Sequence, residues 1–208
     1  MNNRKTAIGI LILTSALTMS LRINAQSVKI GNKEWMTKNL NTSTFRNGNP
    51  IKEAKTAEEF GKAGDNEQPA WCYFENDLEN GKKYGKLYNW YAVNDPRGLA
   101  PAGWHIPNDE EWTALTDFLG VASTKMKSKY GWEENSNGTN ESGISGLPGG
   151  FRSISGNFYA IGEYGYWWSS TESRRPHAWT RPLGYYSGYV IRNYLNMKLG
   201  FSVRCLRD

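Results

Sequence analysis

The last third of the chain consists of short aromatic stretches separated by glycine turns. One stretch spans residues 164–171 (YGYWWSST), and others span 147–152 and 200–205. Aromatic and β-branched runs bounded by Gly, Asn and Ser favour strands and tight turns. Helical spacing of apolar residues is confined to the preceding part. The sequence therefore predicts an α+β domain with two early helices and a mainly antiparallel sheet in its C-terminal half.

The stronger helix signal follows Pro107. Asn108 is a favourable N-cap, Glu111 completes a capping box, and Gly120 is suited to end the helix. One apolar face is predicted, made of Trp112, Leu115, Phe118 and Leu119.

A second helix is predicted over residues 84–94. Its apolar and aromatic residues recur at helical spacing, although the run is also aromatic enough for a strand. Before it, Thr56 and Glu59 form a capping box that predicts one or two helical turns. A hairpin with a Gly-Asn turn is predicted over residues 28–36.

Residues 1–25 have the pattern of a secretory signal peptide. Basic residues precede an apolar run over 7–17, and the small residue Ala25 suits cleavage before Gln26. An uncleaved membrane anchor is the alternative, but the apolar run is shorter than the roughly 20 residues that a span needs. We therefore expect export, with no transmembrane span after cleavage, to the periplasm, the outer surface or the medium.

Removal of the signal peptide changes the charge balance. It removes Arg4, Lys5 and Arg22, which leaves 22 basic and 20 acidic residues, a net charge of +2. No stripe of Lys and Arg remains, so nucleic acid is not an expected partner. A membrane surface is only a slightly better candidate partner. Residues 26–208 suit a single domain.

The chain has two cysteines, Cys72 and Cys205. In an oxidising compartment an even count predicts one disulfide, and two buried free thiols are the alternative. His105 and His177 lack the paired spacing of zinc ligands. The sequence predicts neither a metal site nor a cofactor.

Several blocks occur in an order that resembles the Fibrobacter succinogenes major paralogous domain family. They cover nearly the whole chain after the signal peptide and comprise residues 28–40 (VKIGNKEWMTKNL), 84–92 (YGKLYNWYA), 103–112 (GWHIPNDEEW), 147–152 (LPGGFR), 165–171 (GYWWSST) and 200–205 (GFSVRC). The resemblance implies an exported protein of Bacteroidetes-like or Fibrobacter-like bacteria. It implies no established biochemical activity.

A more distant similarity is to the C-type lectin-like fold, in the variant of formylglycine-generating proteins. Its counterparts here are the helix start over 106–112 and the terminal block over 200–205. Many relatives have a cysteine where this chain has Ala100, so their disulfide pattern does not transfer. A cryptic enzyme on this scaffold is one alternative function. Its oxidation chemistry would need a reactive pair of copper-binding cysteines, which the sequence does not indicate.

Other chemistries have weak signals. Acidic residues at 109–111 lie where a first helical turn favours them, so we interpret them as structural. His105 is expected to be a packed, hydrogen-bonded histidine. Neither a nucleophile elbow nor a phosphate loop is present. Loop oxygens that calcium would accept are more typical of turns; they belong to Asn135, Asn137, Asn140 and Glu141.

The remaining prediction is a binding surface in the region 167–181. Aromatic rings stack on sugars, and aromatic residues beside arginine are typical of protein interfaces. Trp167 and Trp168 point to opposite faces of a strand, so one is a candidate platform. The candidate ligand-binding residues are Trp167, Trp168, Glu172, Arg174, Arg175, Trp179 and Arg181. We expect an exported, non-catalytic binding module for a glycan or an envelope protein, with a purely structural envelope protein as a further alternative.

Overall fold

The structure is a computed structural model that describes residues 26–120 and 122–208. The predicted signal peptide lies outside the described residues. The strands are β1 Ser27–Ile30, β2 Lys33–Met36, β3 Lys52–Glu53, β4 Ala70–Cys72, β5 Leu87–Tyr88, β6 Trp104–His105, β7 Gly149–Arg152, β8 Phe158–Ile161, β9 Tyr164–Arg174, β10 His177–Gly184, β11 Asn193–Asn196 and β12 Leu206–Arg207. The helices are α1 Ala57–Asp65, α2 Leu78–Tyr84, α3 Trp90–Val93, α4 Asp109–Leu119 and α5 Ser123–Met126, with a 3-10 turn at Phe74–Asn76.

The largest sheet confirms the α+β prediction. Its strand order is β11-β10-β9-β7-β8, and every pair is antiparallel except β7–β9, which meets in parallel at Gly150 and Gly165. Two smaller sheets have the orders β1-β2-β12-β6 and β3-β4-β5. The mainly antiparallel C-terminal half is thus as predicted.

The N-terminal hairpin is also confirmed. β1 and β2 pair around a turn in which Gly31 has a φ of 60°, a conformation that favours glycine. β12 pairs with β2 through Leu206 and Trp35 and with β6 through Leu206 and His105. The first and last strands of the described chain therefore belong to one sheet.

The terminal block over 200–205 forms isolated bridges instead of the predicted strand. Gly200 pairs with Arg152, Phe201 with Tyr88 and Ser202 with Trp167. Because consecutive residues bond to different elements, no continuous ladder forms, and the strand begins only at Leu206. Met36 N of β2 also donates to the carbonyl of Cys205, so this buried segment joins all three sheets.

The two predicted capping boxes are confirmed. Thr56 caps α1 with Glu59, Asn108 caps α4 with Glu111, and Gly120 ends α4 in the left-handed conformation. One residue of the predicted apolar face was assigned wrongly. Phe118 is 66% exposed, because a rotation of about 100° per residue places it on the flank of the face formed by its partners. The buried positions are Trp112, Leu115, Thr116 and Leu119.

The prediction of a helix over 84–94 was largely wrong. Leu87 and Tyr88 form β5, which pairs with β4, and only Trp90–Val93 is helical. Asn89 separates the two elements, because its side chain caps the helical turn and also accepts a hydrogen bond from Ala70 N. Helix α2 was missed, although Asp77 at its N-cap and Gly85 at its C-cap mark both ends.

Tryptophan and tyrosine side chains supply much of the core. One cluster surrounds Trp168, with Tyr88, Trp90 and Phe201, and a second contains Trp167 and Trp112. A third, smaller cluster lies around Phe60. Within the described ranges, no helix combines the length and apolarity needed to cross a bilayer.

Candidate functional site

The predicted tryptophan platform lies in the core. Trp167 is 2% exposed and Trp168 is 0% exposed, because the middle of β9 is covered on both faces. Their indole N–H groups donate to Asn39 Oδ1 and to the carbonyl of Tyr88. Neither ring can stack on a ligand, so these two candidate residues are structural.

Arg181 is also buried and structural. Its Nη1 donates to Asp109 Oδ1 at 2.7 Å, and Arg192 Nη2 donates to Asp109 Oδ2 at 2.7 Å. Burial would raise the pKa of Asp109, but hydrogen bonds from both arginines outweigh it and hold that pKa below its usual value. These ion pairs join α4 to β10 and to the residue preceding β11.

Trp179 is half-buried and already stacked. The Arg192 guanidinium lies 3.6 Å from the centre of its ring, and Tyr194 meets it edge to face at 5.5 Å. One ring face is therefore occupied by a cation that is itself bound to Asp109. Trp179 is a poorer platform than predicted.

The remaining predicted residues lie at the exposed end of the β9–β10 hairpin. Arg175 Nη1 is 3.1 Å from Glu67 Oε2, and its Nε is 3.8 Å from Glu172 Oε2. Arg174 is exposed and pairs through its backbone with His177. At this end of the hairpin, His177 meets Tyr194 edge to face, with ring centres 5.8 Å apart.

A continuous aromatic row lies at the other end of β9. Neighbouring ring centres are 5.3 to 5.9 Å apart along the whole row. We call it the tyrosine face; in order of contact it comprises Tyr159, Phe151, Tyr166, Tyr164, Tyr186 and Tyr185.

The strand period explains the tyrosine face. Tyr164 and Tyr166 lie two residues apart on β9 and therefore point to the same side, where their rings stack. Gly165 between them is required, since a Cβ there would collide with the Trp167 ring and with the carbonyl oxygen of Leu147. The register with β10 fixes the position of Tyr164 opposite Gly184.

The ends of the tyrosine face reach solvent. Tyr186 is 67% exposed and Tyr159 is 48% exposed, whereas Tyr166 is largely covered and stacks on Phe201. Tyr164 Oη donates to Tyr186 Oη at 2.7 Å. Supported rings with hydroxyl groups at their edges offer both stacking and hydrogen bonding.

The hydroxyl groups of Tyr164 and Tyr166 are uncharged near neutral pH. The hydrogen bond to Tyr186 raises the pKa of Tyr164, and burial raises the pKa of Tyr166 to about 12. Both groups therefore remain donors. The sequence prediction missed these residues, although Tyr-x-Tyr at 164–166, with glycine between, is a signal for a one-sided aromatic surface.

The predicted disulfide does not form. Cys72 and Cys205 are free, buried and assigned to different core clusters. Burial raises the pKa of Cys72 to about 11 and that of Cys205 to about 12. Both thiols are therefore protonated near neutral pH, which is the alternative that the sequence left open.

His105 is hydrogen-bonded between two carboxylates, as expected. Its Nδ1 is 2.7 Å from Asp208 Oδ1, and its Nε2 is 3.0 Å from Glu111 Oε2. Glu111 also serves the α4 capping box. These contacts bind the ring to α4 and to the residue after β12, so the acidic first turn of α4 is structural.

The asparagine-rich loop forms turns. Asn135 and Asn140 have positive φ, Asn137 Oδ1 accepts from Trp132 N, and Asn140 Oδ1 accepts from Ser145 N. Among the described residues, no group of three or more His, Cys, Asp or Glu side chains is arranged to hold a metal ion.

A groove of about 680 Å³ lies beside the segment 38–46 and is mainly apolar. Arg46 lines it, but this side chain donates to the carbonyls of Ala100 and Trp104. The groove has no paired acid and base among its lining residues, which are Gln26, Met36, Lys38, Asn39, Leu40, Asn41, Thr42, Thr44, Phe45, Arg46, Leu99, Ala100, Pro101 and Ala102.

The chain matches the model of a known protein family. The family model described as the Fibrobacter succinogenes major domain matches residues 28–207. No curated protein and no solved structure matches the chain.

Proposed function

The chain belongs to the Fibrobacter succinogenes major domain family, and we propose that it is an exported, non-catalytic module. We propose further that it binds a glycan of the cell envelope on its tyrosine face. The signal-peptide pattern of residues 1–25 supports export. The contacts of the described residues support binding as the function.

The continuous row of aromatic rings carries this proposal. Tyr159 and Tyr186 expose their rings, and the intervening side chains form a supported surface. Exposed aromatic patches on a folded surface are typical of interaction sites. Tyrosine also provides contact area at a low cost in conformational entropy. Several rings in line suit a ligand with repeated ring units.

Two features argue against thiol or histidine catalysis. Cys72 and Cys205 are buried, so their thiolate forms are disfavoured. His105 is engaged by carboxylates at both ring nitrogens. The buried thiols are therefore poor nucleophiles, and His105 has no ring nitrogen without a partner that could act as a general base.

We further propose that the fold is a C-type lectin-like variant. The sequence similarity of residues 106–112, where α4 begins, and of the buried segment 200–205 to that fold supports this proposal, although 200–205 forms bridges and not a strand. Pairing of β12 with β2 brings both ends of the domain into one sheet. The fold proposal and the binding proposal are independent of each other.

A glycan array followed by calorimetry tests the function. The wild-type protein is expected to bind a glycan, and the double variant Tyr159→Ala/Tyr186→Ala is expected to lose about tenfold or more in affinity. Tyr189→Ala is a matched control, since Tyr189 is 72% exposed and contacts no aromatic ring among the described residues.

Equal affinities of the wild type and the double variant would reject the tyrosine face as the site. Absence of glycan binding, combined with capture of an envelope protein by the same face, would reject the glycan and favour the protein ligand.

A further inference from the structure

A second cleft, of about 530 Å³, lies where the segment 37–41, the end of α2 and residues 145–147, which precede β7, meet. We call it the basic pocket. It shares no residue with the tyrosine face, and its lining is mostly polar: Gln26, Thr37, Lys38, Asn39, Asn41, Gly81, Lys82, Lys83, Gly85, Tyr130, Ser145, Leu147 and Arg204.

All charged residues of this lining are cations. Lys38, Lys82, Lys83 and Arg204 line the pocket, and no Asp or Glu does. Lys82 is paired with Glu79, which lies outside the lining. Lys38 makes no ion pair or side-chain hydrogen bond with any residue that the structure describes. A cavity whose charged lining residues are all positive attracts anions.

Arg204 is a buried cation without a carboxylate partner in the described ranges. It is 2% exposed, and its acceptors are the carbonyls of Met36 and Ile144 and the side-chain oxygen of Asn39. One Nη2 hydrogen has no acceptor among the described residues, because Nη2 makes a single hydrogen bond. Burial lowers the pKa of Arg204 to about 9, which reflects the cost of keeping its charge there.

A second buried arginine shows what a purely structural guanidinium looks like in this protein. Arg152 lies 4.7 Å from the ring centres of both Phe60 and Phe158 and donates to the carbonyls of Gly156 and Ala54. Aromatic faces therefore stabilise its charge. The guanidinium carbon of Arg204 lies 5.9 Å from the ring centre of Trp167, and Arg204 lines a cleft together with lysines.

We propose that the basic pocket binds a sugar unit that carries an acidic group, either a carboxylate or a sulfate. The acidic group would face Arg204, Lys38 and Lys83, since charge-assisted hydrogen bonds to guanidinium and ammonium groups are strong. Tyr130 is exposed and lines the pocket, so it offers a ring face to the sugar. The side chains of Asn41 and Ser145 offer partners for hydroxyl groups.

Calorimetry with digalacturonate, the neutral digalactose, a sulfated digalactose and inorganic sulfate tests this proposal. The purified protein is expected to bind at least one acidic disaccharide about tenfold or more tightly than digalactose and inorganic sulfate. Binding is expected to weaken as salt rises, since the attraction is electrostatic. An equal affinity for inorganic sulfate, or no preference over digalactose, would overturn the proposal.

Charge-matched variants separate this pocket from net charge. Lys38→Ala/Lys83→Ala is expected to lose about tenfold or more in affinity, and Lys29→Ala/Lys52→Ala, two exposed lysines elsewhere, to lose none. Arg204 is not replaced in this test, because the loss of its buried hydrogen bonds would destabilise the fold. Equal binding by both lysine variants in folded protein would overturn the assignment. The variant Tyr159→Ala/Tyr186→Ala, which leaves the basic pocket intact, is expected to bind the acidic disaccharide with the affinity of the wild type.

Discussion

The side-chain oxygen of Asn39 accepts two hydrogen bonds from the guanidinium of Arg204, from Nε at 3.2 Å and from Nη2 at 2.7 Å. The same oxygen accepts from Trp167 Nε1, while Asn39 Nδ2 donates to the carbonyl of Tyr84 and to Ser202 Oγ. One amide therefore joins the N-terminal segment, α2, β9 and the terminal segment.

Replacement of Asn39 by Leu is expected to lower the free energy of unfolding by about 3 kcal/mol or more, because each buried partner left unsatisfied costs about 1–3 kcal/mol. Urea denaturation measures the change. Asn94→Leu is the control, since Asn94 is exposed and makes no side-chain hydrogen bond with described residues. Similar midpoints for both variants would contradict the role of Asn39.

Removal of the Asp109 carboxylate is expected to be strongly destabilising. Asp109→Asn leaves Arg181 buried without its counter-charge, and breaking such a pair costs about 3–5 kcal/mol. Arg192→Ala removes the more exposed partner and is expected to cost about 1 kcal/mol. An equal loss in the two variants would contradict this assignment.

The same carboxylate predicts acid sensitivity. Because the folded-state pKa of Asp109 is lowered, its contribution to stability is present above about pH 4. It is lost as the pH falls through the folded-state value. Denaturation between pH 7 and pH 2 is expected to show a shallower loss of stability in Asp109→Asn than in the wild type, and parallel curves would contradict this.

Helix α4 contains two aromatic residues whose replacement is expected to affect stability very differently. Trp112 is buried, and its ring centre lies 4.9 Å from that of Trp35, so Trp112→Ala is expected to cost about 3–5 kcal/mol. Phe118→Ala, at an exposed position, is expected to change stability by about 0.5 kcal/mol or less. Thermal melts of the two variants measure the difference, and equal melting temperatures would contradict the packing described.

The cysteines are expected to react only after unfolding. A thiol reagent at pH 7 should detect no thiol in folded protein and two in denaturant without reductant, since both are free and buried. Burial raises their pKa values to about 11 and about 12, so both thiols stay protonated in the folded state at pH values where the unfolded chain loses these protons. The free energy of unfolding is therefore unaffected by the thiols below about pH 8.5 and decreases as the pH rises toward the folded-state values. Detection of fewer than two thiols in denaturant would contradict free cysteines.

Local signals predicted local structure well in this chain. The capping residues Thr56 and Asn108 define helix starts because their partners lie three residues away. The period-two and glycine patterns likewise predicted the hairpin of β1 and β2 and the strands β7 and β9.

The features that the sequence did not predict depend on contacts between residues far apart in the chain. Residues 84–94 satisfy a helical period, yet β4 pairs with Leu87 and Tyr88 and makes a strand of them. Trp167 and Trp168 alternate as strand residues should, but loops and helices cover both faces, which the period alone does not reveal. The tyrosine face unites residues from three strands and a loop, so only its Tyr164-x-Tyr166 part has a local signal.

Nuclear magnetic resonance of protein labelled in its tyrosine rings tests the binding site most directly. Titration with a neutral glycan that binds the protein is expected to shift the ring signals of Tyr159, Tyr164 and Tyr186, which the tyrosine face places in one row. The signals of Tyr189 and Tyr194 are expected to stay unchanged. Shifts confined to Tyr194, beside Trp179, with none on the tyrosine face would contradict the proposed site.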